Sequence, residues 1–198
     1  MRLKRFTVLA LVLFLFGSVT VFADDVYEYY KGKPVQILVN NQEISSNGLI
    51  IDDKNGGSRT MLPLRAIAST LQALVSYDSS TQTVNVYKPN VHMAFQAKDK
   101  TVFSVVTRGE YEFAVFSQID SLKTNVSGIK IEVEDPYGNV VASKQKELTE
   151  NKESFWWAPT ISVNFKYSGD YAVHFFMKTS PDSSYVLVSE KMITCLSD

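Results

Sequence analysis

The residues best suited to recognition chemistry stand side by side: Trp156 and Trp157, preceded by Phe155 and followed by Ala158-Pro159. They come after a polar stretch from Lys144 to Glu153, which places them on a loop or a strand edge with one ring in a core and the other exposed. An exposed indole offers a flat apolar face beside a polar N–H, which suits a sugar ring or a partner protein. Phe155, Trp156 and Trp157 are therefore the candidate binding residues, with burial of both indoles in a core as the alternative.

Reactive constellations are harder to assemble. Nucleophilic catalysis needs Ser or Cys beside a histidine held by a third group, and the chain has only two histidines, His92 and His174. His174 lies in an apolar run, Tyr171-Ala172-Val173-His174-Phe175-Phe176-Met177, where alternation puts it on one face with Ala172 and Phe176, opposite Tyr171, Val173 and Phe175. That is the setting of a structural or exposed-strand histidine. None of the short motifs for hydrolases, zinc peptidases, phosphate loops or paired redox thiols occurs. Adjacent carboxylates, Asp52-Asp53 or Glu132, Glu134 and Asp135, have the composition for glycoside hydrolysis, but among 21 Asp and Glu such neighbours arise on turns and wet strand faces. Asp52, Asp53 and Asn55 lack the ligand spacing and closing Glu of a calcium loop. Catalytic, cofactor and metal residues are accordingly expected to be none.

The amino terminus sets the compartment. Arg2, Lys4 and Arg5 precede an apolar run from Phe6 to Phe16, and Val21-Phe22-Ala23 supplies a small-residue cleavage site, so residues 1–23 read as a secretory signal peptide. The apolar run is about half of the ~20 residues a membrane span requires. Loss of the three cations moves the formal charge from −1 to −4, and no basic stripe remains for nucleic acid. The single Cys195 cannot form an internal disulfide, which excludes the cystine-stapled secreted scaffolds. It is expected to be inert or frayed. Export without cystine suits a Gram-positive envelope.

The elements that must position these residues are mostly strands. Val35, Ile37 and Val39 alternate with polar neighbours or Leu38, Asn40-Asn41 offers a turn with positive φ, and Leu49 to Ile51 forms a further strand. From Pro63, a residue suited to a first helical turn, Leu64, Ile67, Ala68 and Leu71 fall on one face of a helix that packs on the small sheet, with Arg65 bracing the helix or facing water. A hairpin follows, from Leu74 to Tyr87.

The segment from about Gln36 to Lys88 resembles the copper amine oxidase N-terminal, or stalk, domain. The matching residues are Val39-Asn40, Arg59-Thr60-Met61-Leu62-Pro63-Leu64-Arg65-Ala66-Ile67-Ala68, Leu71, Val75-Ser76-Tyr77-Asp78 and Thr83-Val84-Asn85-Val86. This sequence departs from the family pattern at Asn41, Ser69 and Gln72; Gln72 stands where the family has a glycine that caps the helix. The resemblance implies a small α+β fold and brings neither copper nor oxidation, which belong to a separate catalytic domain. Two histidines are too few for copper(II), which favours imidazole.

Lys88-Pro89-Asn90 is the expected boundary between a domain at 24–89 and a domain at 90–198. The second half reads as about eight short strands, Val91–Ala97, Thr101–Thr107, Tyr111–Gln118, Gly128–Glu134, Val140–Ser143, Ile161–Tyr167, Tyr171–Lys178 and Ser184–Ile193, the pattern of an antiparallel immunoglobulin-like β-sandwich. Tyr167-Ser168-Gly169-Asp170-Tyr171 resembles a tyrosine corner. The expected whole is a secreted, non-enzymatic binding or adaptor module of a Gram-positive cell envelope, with an envelope protein or cell-wall polymer as partner, no nucleic acid and no stable membrane span. The rival readings are an accessory protein or small hydrolase acting on wall glycan, and an exported protease inhibitor.

Overall fold

The computed structural model describes residues 32–52 and 56–197. The expected signal segment, Tyr27, Tyr29 and Tyr30, and Asp53 and Asn55 lie outside the described residues. The chain divides at Pro63/Leu64 into two compact units. It is mostly strand, and among the described residues one short helix, α1 (Leu64–Thr70), is present.

The first unit holds β1 (Gly32–Val35), β2 (Leu38–Val39), β3 (Gln42–Glu43), β4 (Gly48–Asp52) and β5 (Ser58–Met61). β1, β4 and β5 form an antiparallel sheet in that order, so Pro34, which has no N–H to donate, lies on an edge strand. β2 and β3 make a separate hairpin around Asn40 and Asn41, at φ 52° and 64°. Two consecutive left-handed residues define the turn whose twist matches paired strands, and Asn reaches that region more readily than other L residues. Ile37 and Ile44 close the hairpin, Ile44 N–H donating to the Ile37 carbonyl at 3.1 Å, and both are buried.

The second unit opens with α1 and the hairpin β6 (Leu74–Asp78) and β7 (Thr83–Tyr87). The expected helix face is only partly covered: Ala68 is buried and Ile67 half-buried, but Leu64 and Leu71 are 42% and 47% exposed. The cause is length. Over seven residues Leu64 is the first and Leu71 already lies past the last, so only Ile67 and Ala68, in the middle of the face, are covered. Arg65 is exposed. Gln72 takes the left-handed φ of 55° that the missing glycine would have supplied. Gln72 N–H donates to the Ser69 carbonyl (2.9 Å) and Ala73 N–H to the Ala68 carbonyl (2.8 Å), the paired bonds of a Schellman cap. Lys88 Nζ donates to the Gln72 carbonyl at 3.1 Å and to the Val188 carbonyl at 2.9 Å, tying the cap to a later strand.

After Lys88 and Pro89 come β8 (Asn90–Gln96), β9 (Val102–Phe103), β10 (Val105–Thr107), β11 (Gly109–Asp120), β12 (Gly128–Glu134), β13 (Val140–Glu147), β14 (Phe155–Trp157), β15 (Thr160–Phe165), β16 (Gly169–Lys178) and β17 (Val186–Leu196). They build two five-stranded sheets. One runs β10-β17-β16-β12-β13; the other runs β14-β11-β8-β9, with β15 also on β11. Inward residues of both sheets, among them Phe95, Phe113, Val115 and Phe165 from one and Ile131, Tyr171, Phe175 and Ile193 from the other, form one apolar core. The expected strand Thr101–Thr107 is two: β9 pairs with β8, the chain passes Ser104, and β10 pairs in parallel with β17 in the other sheet. Periodicity cannot show such a crossing, because side chains keep alternating while the hydrogen-bond partner changes. Cys195 is buried within β17, not frayed. Tyr171 is fully buried, and its hydroxyl accepts from Tyr167 N–H at 3.1 Å.

Aspartates organise the turns. Asp78 accepts from Ser80 N–H (2.9 Å) and Ser80 Oγ (2.6 Å), and these bonds hold its pKa at about 2 against an ordinary 3.8. Asp135 accepts from the Tyr137 and Asn139 N–H groups, each at 2.9 Å, and from the Asn139 amide, which is the main cause of its lowered pKa. Asp99 is lowered in the same way by the Thr101 hydroxyl and N–H.

Two outcomes follow. Gln72→Gly removes the left-handed strain of an L residue and is expected to raise stability by about 1 kcal/mol in urea unfolding. Because Asp78 has a lower pKa folded than unfolded, its stabilisation is present above pH 3.8 and is lost as pH falls towards about 2, and the lowered Asp99 and Asp135 act in the same direction. Urea midpoints measured from pH 5 to pH 2 are expected to fall through that window, and Asp78→Asn is expected to flatten the fall.

Candidate functional site

Two carbonyl–amide ladders decide where the tryptophans point. β14 pairs with β11 so that Phe155 opposes Ile119, Trp156 opposes Gln118 and Trp157 opposes Ser117. Ile119 and Ser117 face the core, so Phe155 and Trp157 face it too, and Trp156 faces out. Trp157 packs edge-on against Phe175 of the opposite sheet, centroids 6.0 Å apart. Trp156 is 65% exposed and stands at 71° to Phe116, 4.7 Å between ring centres. Ala158-Pro159 breaks the strand without losing the edge: the Pro159 carbonyl accepts from Val115 N–H at 3.0 Å, and β15 resumes pairing at Thr160↔Ala114. The sequence reading placed this segment on a loop or an edge; it is a three-residue edge strand. β13, expected to end at Ser143, runs on to Glu147, into the polar stretch that begins at Lys144.

Trp156 belongs to a row that the sequence reading did not assemble. Trp156, Gln118 and His92 are register partners across β14, β11 and β8 and share the outer face. Gln118 Nε2 donates to Asp120 Oδ2 at 2.8 Å, and Phe116 lies opposite Ala94. A signal for this was present in β11, where Ala114, Phe116, Gln118 and Asp120 alternate with the core residues Phe113, Val115, Ser117 and Ile119. Phe116 is an aromatic residue on the wet phase of the strand. On its other side Trp156 lines a cleft of about 290 Å³ with Lys146, Leu148, Glu150, Lys152 and Phe155.

The outer face of the other sheet has the opposite character. His174 lies between two carboxylates, Nε2 at 2.7 Å from Glu190 Oε2 and Nδ1 at 3.3 Å from Glu134 Oε1. Glu132 pairs with Lys130 at 2.8 Å, and Lys178 with Glu147 at 3.0 Å. Lys130 also sits over the Phe176 ring at 4.6 Å. Burial, then the charge of Glu147, push the Tyr185 hydroxyl up. Glu132, Glu134 and Asp135, which composition allowed as paired acids, are thus engaged by Lys130, by His174 and by a turn.

The family model of the copper amine oxidase N-terminal domain matches residues 38–136. The chain belongs to that family. The match covers the segment expected from about Gln36 to Lys88 and continues through β12. No curated protein matches. Among solved structures, a β-glucuronidase from glycoside hydrolase family 2 has a TM-score of 0.35 and 12% identity over 52% of this chain. The aligned part spans 10% of that enzyme, and at this level the likeness carries no argument. His92 and His174 stand on the outer faces of different sheets, and carboxylates lie against both ring nitrogens of His174.

The different settings of the two indoles have a measurable consequence. Trp157→Ala opens a hole between the sheets and is expected to cost about 3–5 kcal/mol. Trp156→Ala is expected to change stability by less than about 1 kcal/mol. Urea unfolding of the two variants checks both values.

Proposed function

We propose that this chain is a secreted, non-enzymatic binding or adaptor module of a Gram-positive cell envelope, holding an envelope protein or cell-wall polymer through the surface around Trp156. The observation that carries this reading is the exposed indole braced by Phe116 on an otherwise well-packed sheet. Large exposed aromatic rings held rigid by a neighbour are the usual anchors of binding surfaces. In this reading residues 1–23 direct export, residues 24–89 are the stalk-like domain and residues 90–198 an immunoglobulin-like β-sandwich that presents the anchor. The buried Tyr171 with its hydroxyl on Tyr167 N–H supports the immunoglobulin-like assignment, as do the two five-stranded sheets over one core.

Electrostatics support a neutral or mixed partner over nucleic acid. The chain carries a slight net negative charge, and Lys98, Lys123, Lys130, Lys152 and Lys178 are each paired with a glutamate. The engagement of Glu132, Glu134 and Asp135 supports a binding role over hydrolysis.

The test is retention of the mature chain, residues 24–198, on envelope fractions and on purified peptidoglycan. Specific recovery is expected, and Trp156→Ala is expected to lower it at least about fivefold. Recovery on neither material, with release of sugar fragments from the wall instead, overturns the proposal.

A further inference from the structure

We infer that the outer face of the sheet carrying β14, β11 and β8 is a platform for an uncharged glycan chain, with Trp156 as the stacking residue. This rests on the binding reading above and names its ligand.

The argument begins with the floor. Beside Phe116, the outward positions are Ala94, its register partner on β8, and Ala114, two residues back on β11. Two alanines flanking an aromatic ring leave a flat strip instead of a ridge of side chains. Outward neighbours along a strand are about 6.8 Å apart, and adjacent strands lie about 4.8 Å apart, so the strip has the width of a sugar ring. Trp156 rises at one border of it, 65% exposed, held edge-on by Phe116 at 4.7 Å. A pyranose presents a face of C–H groups that stacks on such a ring, and a rim of hydroxyls that needs planar polar partners.

Those partners stand next to the indole. Gln118 is the cross-strand neighbour of Trp156, and its amide is fixed by donating to Asp120 Oδ2 at 2.8 Å. With one N–H spent, Gln118 keeps Oε1 as an acceptor and a second N–H as a donor. Asp120 adds carboxylate oxygens that accept from hydroxyls. A pre-oriented amide and carboxylate beside a stacking ring reads the hydroxyl pattern of a sugar at little ordering cost.

Charge selects against the other polymers of an envelope. The outward positions of β8, β11 and β14 carry no Lys or Arg, while Asp120, Glu110 and Glu112 are on the same face of β11. A phosphate- or carboxylate-rich chain finds no cation on these strands: beside them Lys98 is paired with Glu112 and Lys152 with Glu150, which leaves Lys146 of the neighbouring cleft, and Asp120 next to Gln118 repels such a chain. A protein partner of ordinary size covers roughly 800 Å² around a central apolar anchor, whereas here the aromatic pair is at one border and the remainder is amide, alanine, carboxylate and His92.

The experiment titrates the mature chain with tetra-N-acetylchitotetraose and with cellotetraose, followed by tryptophan fluorescence and calorimetry, with inorganic polyphosphate as the anionic comparison. Saturable binding of at least one tetrasaccharide, insensitive to salt, is expected. Trp156→Ala is expected to weaken it at least about tenfold and Gln118→Ala by several-fold, with unfolding midpoints near that of the wild type. The glycan assignment is overturned if neither tetrasaccharide binds, if Trp156→Ala binds as well as the wild type, or if polyphosphate binds more tightly than both. Loss of envelope retention in Trp156→Ala without any tetrasaccharide binding sinks the glycan and leaves the binding module standing with a protein ligand. Absence of both retention and tetrasaccharide binding sinks the two together.

Discussion

The ring of Tyr171 packs against that of Phe165, 4.7 Å between centres, across the two sheets of the second unit. Each residue comes from a different sheet and each is fully buried. Around them Tyr111 meets Phe165, and Phe103 and Phe95 meet Phe113, edge-to-face, while Phe113 stacks on Phe165, so a chain of rings from one layer reaches Tyr171 of the other. Edge-to-face pairs fix orientation as well as burial. The Tyr171 hydroxyl then finds Tyr167 N–H, which satisfies the one polar atom that this core position brings inside. The outward phase of β11 and the edge position of β14 both follow from that inward packing. A platform on the outside is rigid because the same strands are locked on the inside.

The two outer faces show how one architecture serves different ends. On the β12 and β16 side, cations and carboxylates neutralise one another and a histidine is clamped between glutamates. Most of the charge on such a face is spent within the protein. On the β11 and β8 side, amides, alanines and two aromatic rings leave valence unspent. Polar groups already paired within a protein have little to offer a ligand, since binding must first break what they have.

Much of this was legible in the sequence because alternation is a strong signal wherever one face is buried. β12 has the limits its Ile129, Ile131 and Val133 pattern implies, and Asn40-Asn41 announced its turn. The family membership was legible from the Arg59–Ala68 block and the strands that flank it. Hydrogen-bond partners left no trace: the change of sheet at Ser104 and the parallel pairing of β10 with β17 depend on distant residues. The helix face was overdrawn because periodicity marks which residues align, not how many the neighbouring strand is wide enough to cover. At the candidate site, the sequence singled out Phe155, Trp156 and Trp157 as neighbours, but Gln118, Asp120 and Phe116 come from 36 to 40 positions earlier in the chain and join the indole only through strand register.

The position of β17 has a consequence in time. Among the described residues it is the last strand in sequence, yet it lies between β16 and β10 in the interior of its sheet, and it contributes Val188, Ile193 and Cys195 to the core. Until Val186–Leu196 is available, the sheet stops at β16, β10 has no parallel neighbour and the apolar interior is open along one side. Closing this side of the core therefore needs β10 and β17 to pair, and their register partners Val105 and Thr194 are 89 positions apart. High separation between contacting residues also slows closure of the core.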